Sequence, residues 1–83
     1  MTNDLLLNID KVHTTDLGVI RIKRNLELDI EDVVTWCRQK IENADSISKR
    51  GKNWYVNVDS IEITVNSRSF TIITAHKKKP ANK

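Results

Sequence analysis

A single cysteine, Cys37, stands in this 83-residue chain, so no disulfide framework can staple it. Beside that cysteine there are only two histidines, His13 and His76, too few for a closed structural zinc site. Neither a metal nor any other cofactor is expected. With two glycines in all, the chain has no glycine-rich phosphate loop and no nucleophile elbow, and its carboxylates do not cluster at metal-binding spacing. No apolar run approaches the roughly 20 residues that cross a bilayer, and the N-terminus lacks a basic region followed by an apolar stretch. Together these absences point to a soluble protein of a reducing cytoplasm, with no membrane partner.

What is present is enough for one domain. Fourteen Lys and Arg against eleven Asp and Glu leave a net charge of +3. The charges are unevenly spread. Acids crowd between Glu27 and Glu42, whereas bases gather at Arg21 to Arg24, Lys49 to Lys52 and Lys77 to Lys83. Such asymmetry suits an anionic partner on one side, or else solvated faces.

The first half reads at helical period. Asn3 can cap a short helix carrying Leu5, Leu6, Ile9 and Val12. After a break at His13-Thr14-Thr15, either threonine can cap a second helix, with Val19, Ile22 and Leu26 on its buried stripe and Leu17 and Ile20 flanking it. Arg21 and Arg24 share its other side. Gly18 in its first turn costs about 1 kcal/mol against alanine, which a close approach by another backbone would explain. The third helix is expected to start at a cap on Asp29, with Ile30, Val33, Val34, Cys37 and Ile41 forming one buried stripe. Cys37 on that stripe reads as a buried structural thiol.

After Asn43 the period becomes two. Ser46-Ile47-Ser48 reads as a first strand and Arg50-Gly51-Lys52 as a turn. Trp54, Val56 and Val58 line one face of the second strand, and Ile61, Ile63 and Val65 one face of the third. Two-residue connections at Asp59-Ser60 and Ser67-Arg68 would pair Val58 with Ile61, Val56 with Ile63 and Trp54 with Val65. They would also pair Val65 with Phe70, Ile63 with Ile72 and Ile61 with Thr74. The expectation is an α+β domain over residues 1–77, with two to three N-terminal helices packed on one face of a four-stranded antiparallel meander. Residues 78–83 would form a basic, disordered tail.

The open face is then expected to carry Tyr55, Asn57, Glu62, Thr64, Asn66, Thr71, Ile73 and Ala75. Tyr55 and Ile73 among amides and hydroxyls could form a small platform for a base or a partner's side chains. Lys49, Arg50, Lys52 and Arg68 gather at one end of the sheet, the better phosphate candidate because tight loops hold them. Lys77 and the lysines after it leave from the other end. His76 falls on the core side of the last strand. If His13 met it, the two imidazoles could act as base and acid in RNA cleavage through the 2′-hydroxyl, with Arg21 or Arg24 stabilising the phosphate. The competing reading is that each histidine ends an element and bonds a backbone carbonyl.

The segments "HTTDLGVIRIKRNL", "DIEDVVTWC", "GKNWYVNVD" and "ITVNSRSFTIITAHK" resemble a small bacterial and phage family known only as a domain of unknown function. That resemblance implies no activity. The element order also looks like the RelE and barnase-type ribonuclease toxins, whose open sheet face and rim bind RNA. It implies RNA-contacting roles for Arg50, Lys52, Tyr55, Thr71 and Lys77, although Glu62 and the scarcity of bases on the face depart from that pattern. Three functions follow as expectations. One is an RNA-binding or ribonuclease-like domain. The second is a phage-encoded inhibitor of anti-CRISPR or anti-defence type, bound to a nucleic-acid-binding host protein. The third is an oligomerising module, such as a homodimer through the open face.

Overall fold

A computed structural model of the protein describes residues 4–78. Three helices precede a four-stranded antiparallel sheet of order β1-β2-β3-β4, an α+β arrangement. The Asn3 cap and the tail beyond Lys78 lie outside the described residues.

The first helical segment is not one helix. α1 (Asp4–Leu7) is a single turn, and a 3-10 turn follows at Ile9–Lys11. Asn8 makes the break by folding its carboxamide back to the Asp4 carbonyl at 2.9 Å, a local bond that competes with helix propagation. Leu5 and Val12 still reach the core, while Leu6 and Leu7 stay exposed.

α2 (Asp16–Leu26) begins at Thr15, whose hydroxyl accepts from the Gly18 N–H at 3.0 Å. It stops at Glu27, which takes the left-handed conformation (φ 56°) and returns its N–H to the Lys23 carbonyl. Ile22 and Leu26 are buried, and the flanking Leu17 and Ile20 face solvent. Gly18 is also buried, and a Cβ there would collide with Thr14 Oγ1. That hydroxyl is pinned because it donates to the Ile72 carbonyl at 2.9 Å. The crowding therefore comes from a side chain, not from the backbone approach that the sequence suggested.

α3 (Val33–Glu42) starts three residues after the expected Asp29 cap region opens. Asp32 is the cap, because its carboxylate accepts from both the Thr35 N–H (3.0 Å) and the Thr35 hydroxyl (2.7 Å). Those two bonds hold the Asp32 carboxyl below its ordinary pKa. Val33, Cys37 and Ile41 are buried, and Ile30 packs against the core from the connection. Arg38 clamps the 3-10 turn to this helix, donating to the Val12 carbonyl at 3.0 and 2.7 Å and to the Asp10 carbonyl at 2.9 Å.

The sheet consists of β1 (Ser46–Arg50), β2 (Asn53–Val58), β3 (Ile61–Asn66) and β4 (Ile72–Lys77). Gly51 (φ 60°) opens a two-residue turn between Arg50 and Asn53. Asp59 and Ser60 both have positive φ (49° and 65°), as a tight primed hairpin requires. That turn gives the expected pairs Val58 with Ile61, Val56 with Ile63 and Trp54 with Val65.

The last hairpin departs from expectation. Its loop has four residues, Ser67–Phe70, closed by the Asn66 N–H to the Thr71 carbonyl (2.8 Å) and the Phe70 N–H to the Asn66 carbonyl (2.9 Å). Val65 consequently faces Ile72, and a bulge at Thr64/Val65 then shifts the partners again. Ile63 pairs with Ala75, Thr64 with Thr74, Glu62 with His76 and Ile61 with Lys77. Because strand side chains alternate, the odd shift exchanges faces. Ala75 is fully buried instead of lying on the open face, and His76 is on the open face instead of the core side. Ile73 is the extra residue of the bulge and is 38% exposed. Phe70 leaves the strand altogether, sits at φ 60° and packs its ring against Trp54 at 5.4 Å.

β4 is an edge strand, and its outer rim is covered locally. His13 forms a parallel bridge with Thr71: its N–H donates to the Phe70 carbonyl (3.1 Å) and its carbonyl accepts from the Ile72 N–H (2.7 Å). Asn25 from α2 donates to the Ala75 carbonyl at 3.2 Å. These bonds satisfy edge groups that would otherwise invite another strand.

Two outcomes test this packing. Gly18→Ala should lower stability by about 1–2 kcal/mol in urea denaturation despite alanine's better helix propensity, because the Thr14–Ile72 bond must break; an unchanged or higher midpoint would contradict the crowding. Burial pushes the Cys37 thiol up to about 12, so a thiol reagent at pH 8 should leave the folded protein unmodified and react only in urea.

Candidate nucleic-acid interface

The Gly51-Lys52 turn and the Ser67–Phe70 loop lie at the same end of the sheet, since β2 and β4 run in the same direction. They are fastened directly: the Ser67 N–H donates to the Lys52 carbonyl at 2.7 Å. The Asn66 Oδ1 accepts from the Arg68 and Ser69 N–H groups at 2.9 and 3.0 Å, an Asx turn that fixes the loop. Arg50, Lys52 and Arg68 are therefore presented by backbone held on both sides. No Asp or Glu occurs in Arg50–Asn53 or Asn66–Thr71. Among the described residues, the ion pairs lie elsewhere: Lys40 with Asp59, His76 with Glu62 and Lys77 with Glu27.

Rows of the open face follow from the register. Arg50, Asn53 and Asn66 form one row, and Ser48, Tyr55, Thr64 and Thr74 the next. The Arg50 guanidinium lies over the Tyr55 ring, 4.6 Å from its centroid. Tyr55 is thus covered by Arg50 and is not the bare platform expected. Asn53 Oδ1 is buried and has no hydrogen-bond partner, the one such side-chain atom among the described residues. An orphaned acceptor of this kind costs about 1–3 kcal/mol.

His13 joins the same end. Its Nδ1 lies 2.8 Å from the Lys11 carbonyl, an acceptor only, so Nδ1 donates in that bond. Nε2 is 3.1 Å from the Thr71 hydroxyl, which in turn is 2.7 Å from the Ser69 hydroxyl. The Lys11 ammonium stands 5.8 Å from the Phe70 ring centroid and adds another base beside the loop.

Other expected site residues are not brought here. Lys49 pairs with Trp54 and so belongs to the helix-covered side of β1, opposite to Arg50. Lys77 binds Glu27 at 3.3 Å at the far end. Lys78, assigned with the tail from sequence, donates its N–H to the Ser60 carbonyl (2.9 Å) and its ammonium to Asn57 (2.8 Å). His76 stands on the open face, 3.7 Å from Glu62. His13 bridges Thr71 at the other end of β4, about 15 Å away at the usual rise per strand residue. Arg21 is exposed on α2, and the side-chain partners of the two histidines are Lys11 and Thr71 for His13 and Glu62 for His76. The proposed pair of imidazoles with an arginine does not assemble. The described residues enclose no pocket and hold no cluster of three His, Cys, Asp or Glu side chains able to share a metal. No helix among them is long and apolar enough to cross a membrane.

A family model described as "Protein of unknown function (DUF3781)" matches residues 6–76. The chain belongs to this family. Comparison with curated proteins and with solved structures gives no match. For this DUF3781 chain, the likeness to RelE-type toxins therefore rests on element order alone.

Sequence reasoning missed Lys11, Asn53 and Ser69, and it placed Asn66 on the open face without the turn that its carboxamide fixes. The run Asn66-Ser67-Arg68-Ser69 carried a usable signal, because an asparagine that starts a turn bonds the backbone N–H two residues on. Nothing local marks Asn53, whose lack of a partner is a tertiary property. Replacing Asn53 by Thr, a better strand residue, should leave stability unchanged or raise it by about 1 kcal/mol, since an unsatisfied buried oxygen is removed. A thermal midpoint several degrees lower would show that the carboxamide has a stabilising partner.

Proposed function

We propose that this protein is a small RNA-binding module that holds the phosphate backbone of a single strand at the Gly51-Lys52 and Ser67–Phe70 end of its sheet. The observation that carries this reading is the 2.7 Å bond from the Ser67 N–H to the Lys52 carbonyl. It fixes two loops so that Arg50, Lys52 and Arg68 share one rim without a carboxylate in either loop. Fixed cations lose less side-chain and loop freedom on binding phosphates than a loose lysine tail does. Ser69 and Thr71 add hydroxyl groups beside those bases, the type that hydrogen-bonds phosphate oxygens and 2′-hydroxyls.

The reading is one of binding without cleavage. General acid–base scission needs two groups near one phosphate, and His13 and His76 sit at opposite ends of β4. His13 also has both ring nitrogens engaged. A surface rim without a pocket suits an extended strand better than a small enclosed substrate.

Fluorescence anisotropy with a labelled single-stranded RNA tests the proposal. Affinity should fall as salt rises, with a log–log slope near −0.7 for each phosphate neutralised. Lys52→Ala with Arg68→Ala should weaken binding about tenfold and reduce that slope by roughly 1–1.5, whereas Lys77→Ala should change little. Affinity that ignores both salt and the double substitution would overturn the reading.

A further inference from the structure

Arg50 is singular among the rim bases because its planar group is already oriented. The guanidinium rests on the Tyr55 ring at 4.6 Å, supported from below by a half-buried aromatic and exposed on its outer side. Arginine planes stack on nucleobases as aromatic rings do, and a plane propped on an aromatic ring loses less freedom when it stacks. A lysine ammonium at the same place would keep the charge but offer no plane. Directly across the strand pair, Asn53 holds a carboxamide whose oxygen is buried and unpartnered. Rotation about its terminal torsion would bring that oxygen to the surface beside Arg50, where the amino group of a stacked base could satisfy it. Asparagine is thus kept in a strand position where it is a poor fit and leaves an orphaned atom.

We infer that Arg50, propped on Tyr55, is a nucleobase-stacking site for single-stranded RNA, and that the Asn53 carboxamide hydrogen-bonds the edge of the stacked base. This inference rests on the RNA-binding reading above and adds a base contact to its phosphate contacts. Phosphates at Lys52 and Arg68 would set the position of the strand, and the Arg50–Asn53 pair would require that the base there be unpaired.

The experiment compares two probes, a labelled cytidine dodecamer and a ribose-phosphate oligomer of the same length with abasic positions, and adds a uridine dodecamer for the Asn53 variant. Wild type should bind the cytidine probe at least fivefold more tightly than the abasic one. Arg50→Lys, which keeps the charge but removes the plane, should lower cytidine affinity several-fold more than abasic affinity and so narrow that difference. Tyr55→Leu should lose affinity for the cytidine probe alone, with circular dichroism confirming that the sheet is intact. Asn53→Thr should weaken cytidine binding more than uridine binding, because uracil offers no amino group. If both probes bind equally to wild type, or if Arg50→Lys lowers both alike, the stacking site is overturned while the phosphate reading stands. If neither probe binds in a salt-dependent way, both readings fall.

Discussion

The carboxamide of Asn66 is the small contact on which the Gly51-Lys52 and Ser67–Phe70 end of this domain depends. By accepting from the Arg68 and Ser69 N–H groups it stabilises a four-residue loop where a two-residue turn would also have closed the hairpin. The longer loop lets Phe70 leave the strand and swing onto Trp54, and it delivers Thr71 to His13. It also places the Ser67 N–H where the Lys52 carbonyl accepts it. Without that closure the two basic loops would be independent hairpin ends. With it they form one rim.

The bulge next to that loop decides what each face of β4 carries. An extra residue at Ile73 turns Ala75 inward, where only a small side chain is opposed to Ile63, and turns His76 outward toward Glu62. The strand edge is then occupied by the His13 backbone and by the Thr14 and Asn25 side chains, so the chain's first half serves as a cover for its last strand. Gly18 follows from the same arrangement, since Thr14 can reach the Ile72 carbonyl only if no Cβ stands in its way.

Charge and strain are separated along the sheet. At the Asp59-Ser60 end Lys40 and Lys77 are paired with Asp59 and Glu27, and the Lys78 ammonium donates to Asn57. At the opposite end the bases lack carboxylates, one arginine lies on a tyrosine, and an asparagine oxygen has no partner. One unsatisfied polar atom and bases without a carboxylate in their loops thus lie together at the end proposed above to bind. A far end with its charges matched reads as scaffold.

The sequence alone determined the order of elements, the helix stripes through Ile22, Leu26, Cys37 and Ile41, and the β2–β3 register, because each depends on period and on local turn chemistry. Val56 opposite Ile63 was legible since a two-residue loop permits few alternatives. A threonine cap on α2 was legible too, being a bond three residues long, although the choice of Thr15 over Thr14 was left to the structure. The sequence also showed that Lys52 and Arg68 share one end, as strand direction alone requires. What only the tertiary structure decided is the face of His76 and Ala75, the departure of Phe70, the cover over Tyr55 and the separation of His13 from His76. The first hangs on a one-residue bulge, the second on a loop longer than the shortest turn, the third on how two side chains of paired strands settle, and the last on a bridge between residues 13 and 71. Period-two alternation survives a shift of register without leaving a mark in the sequence.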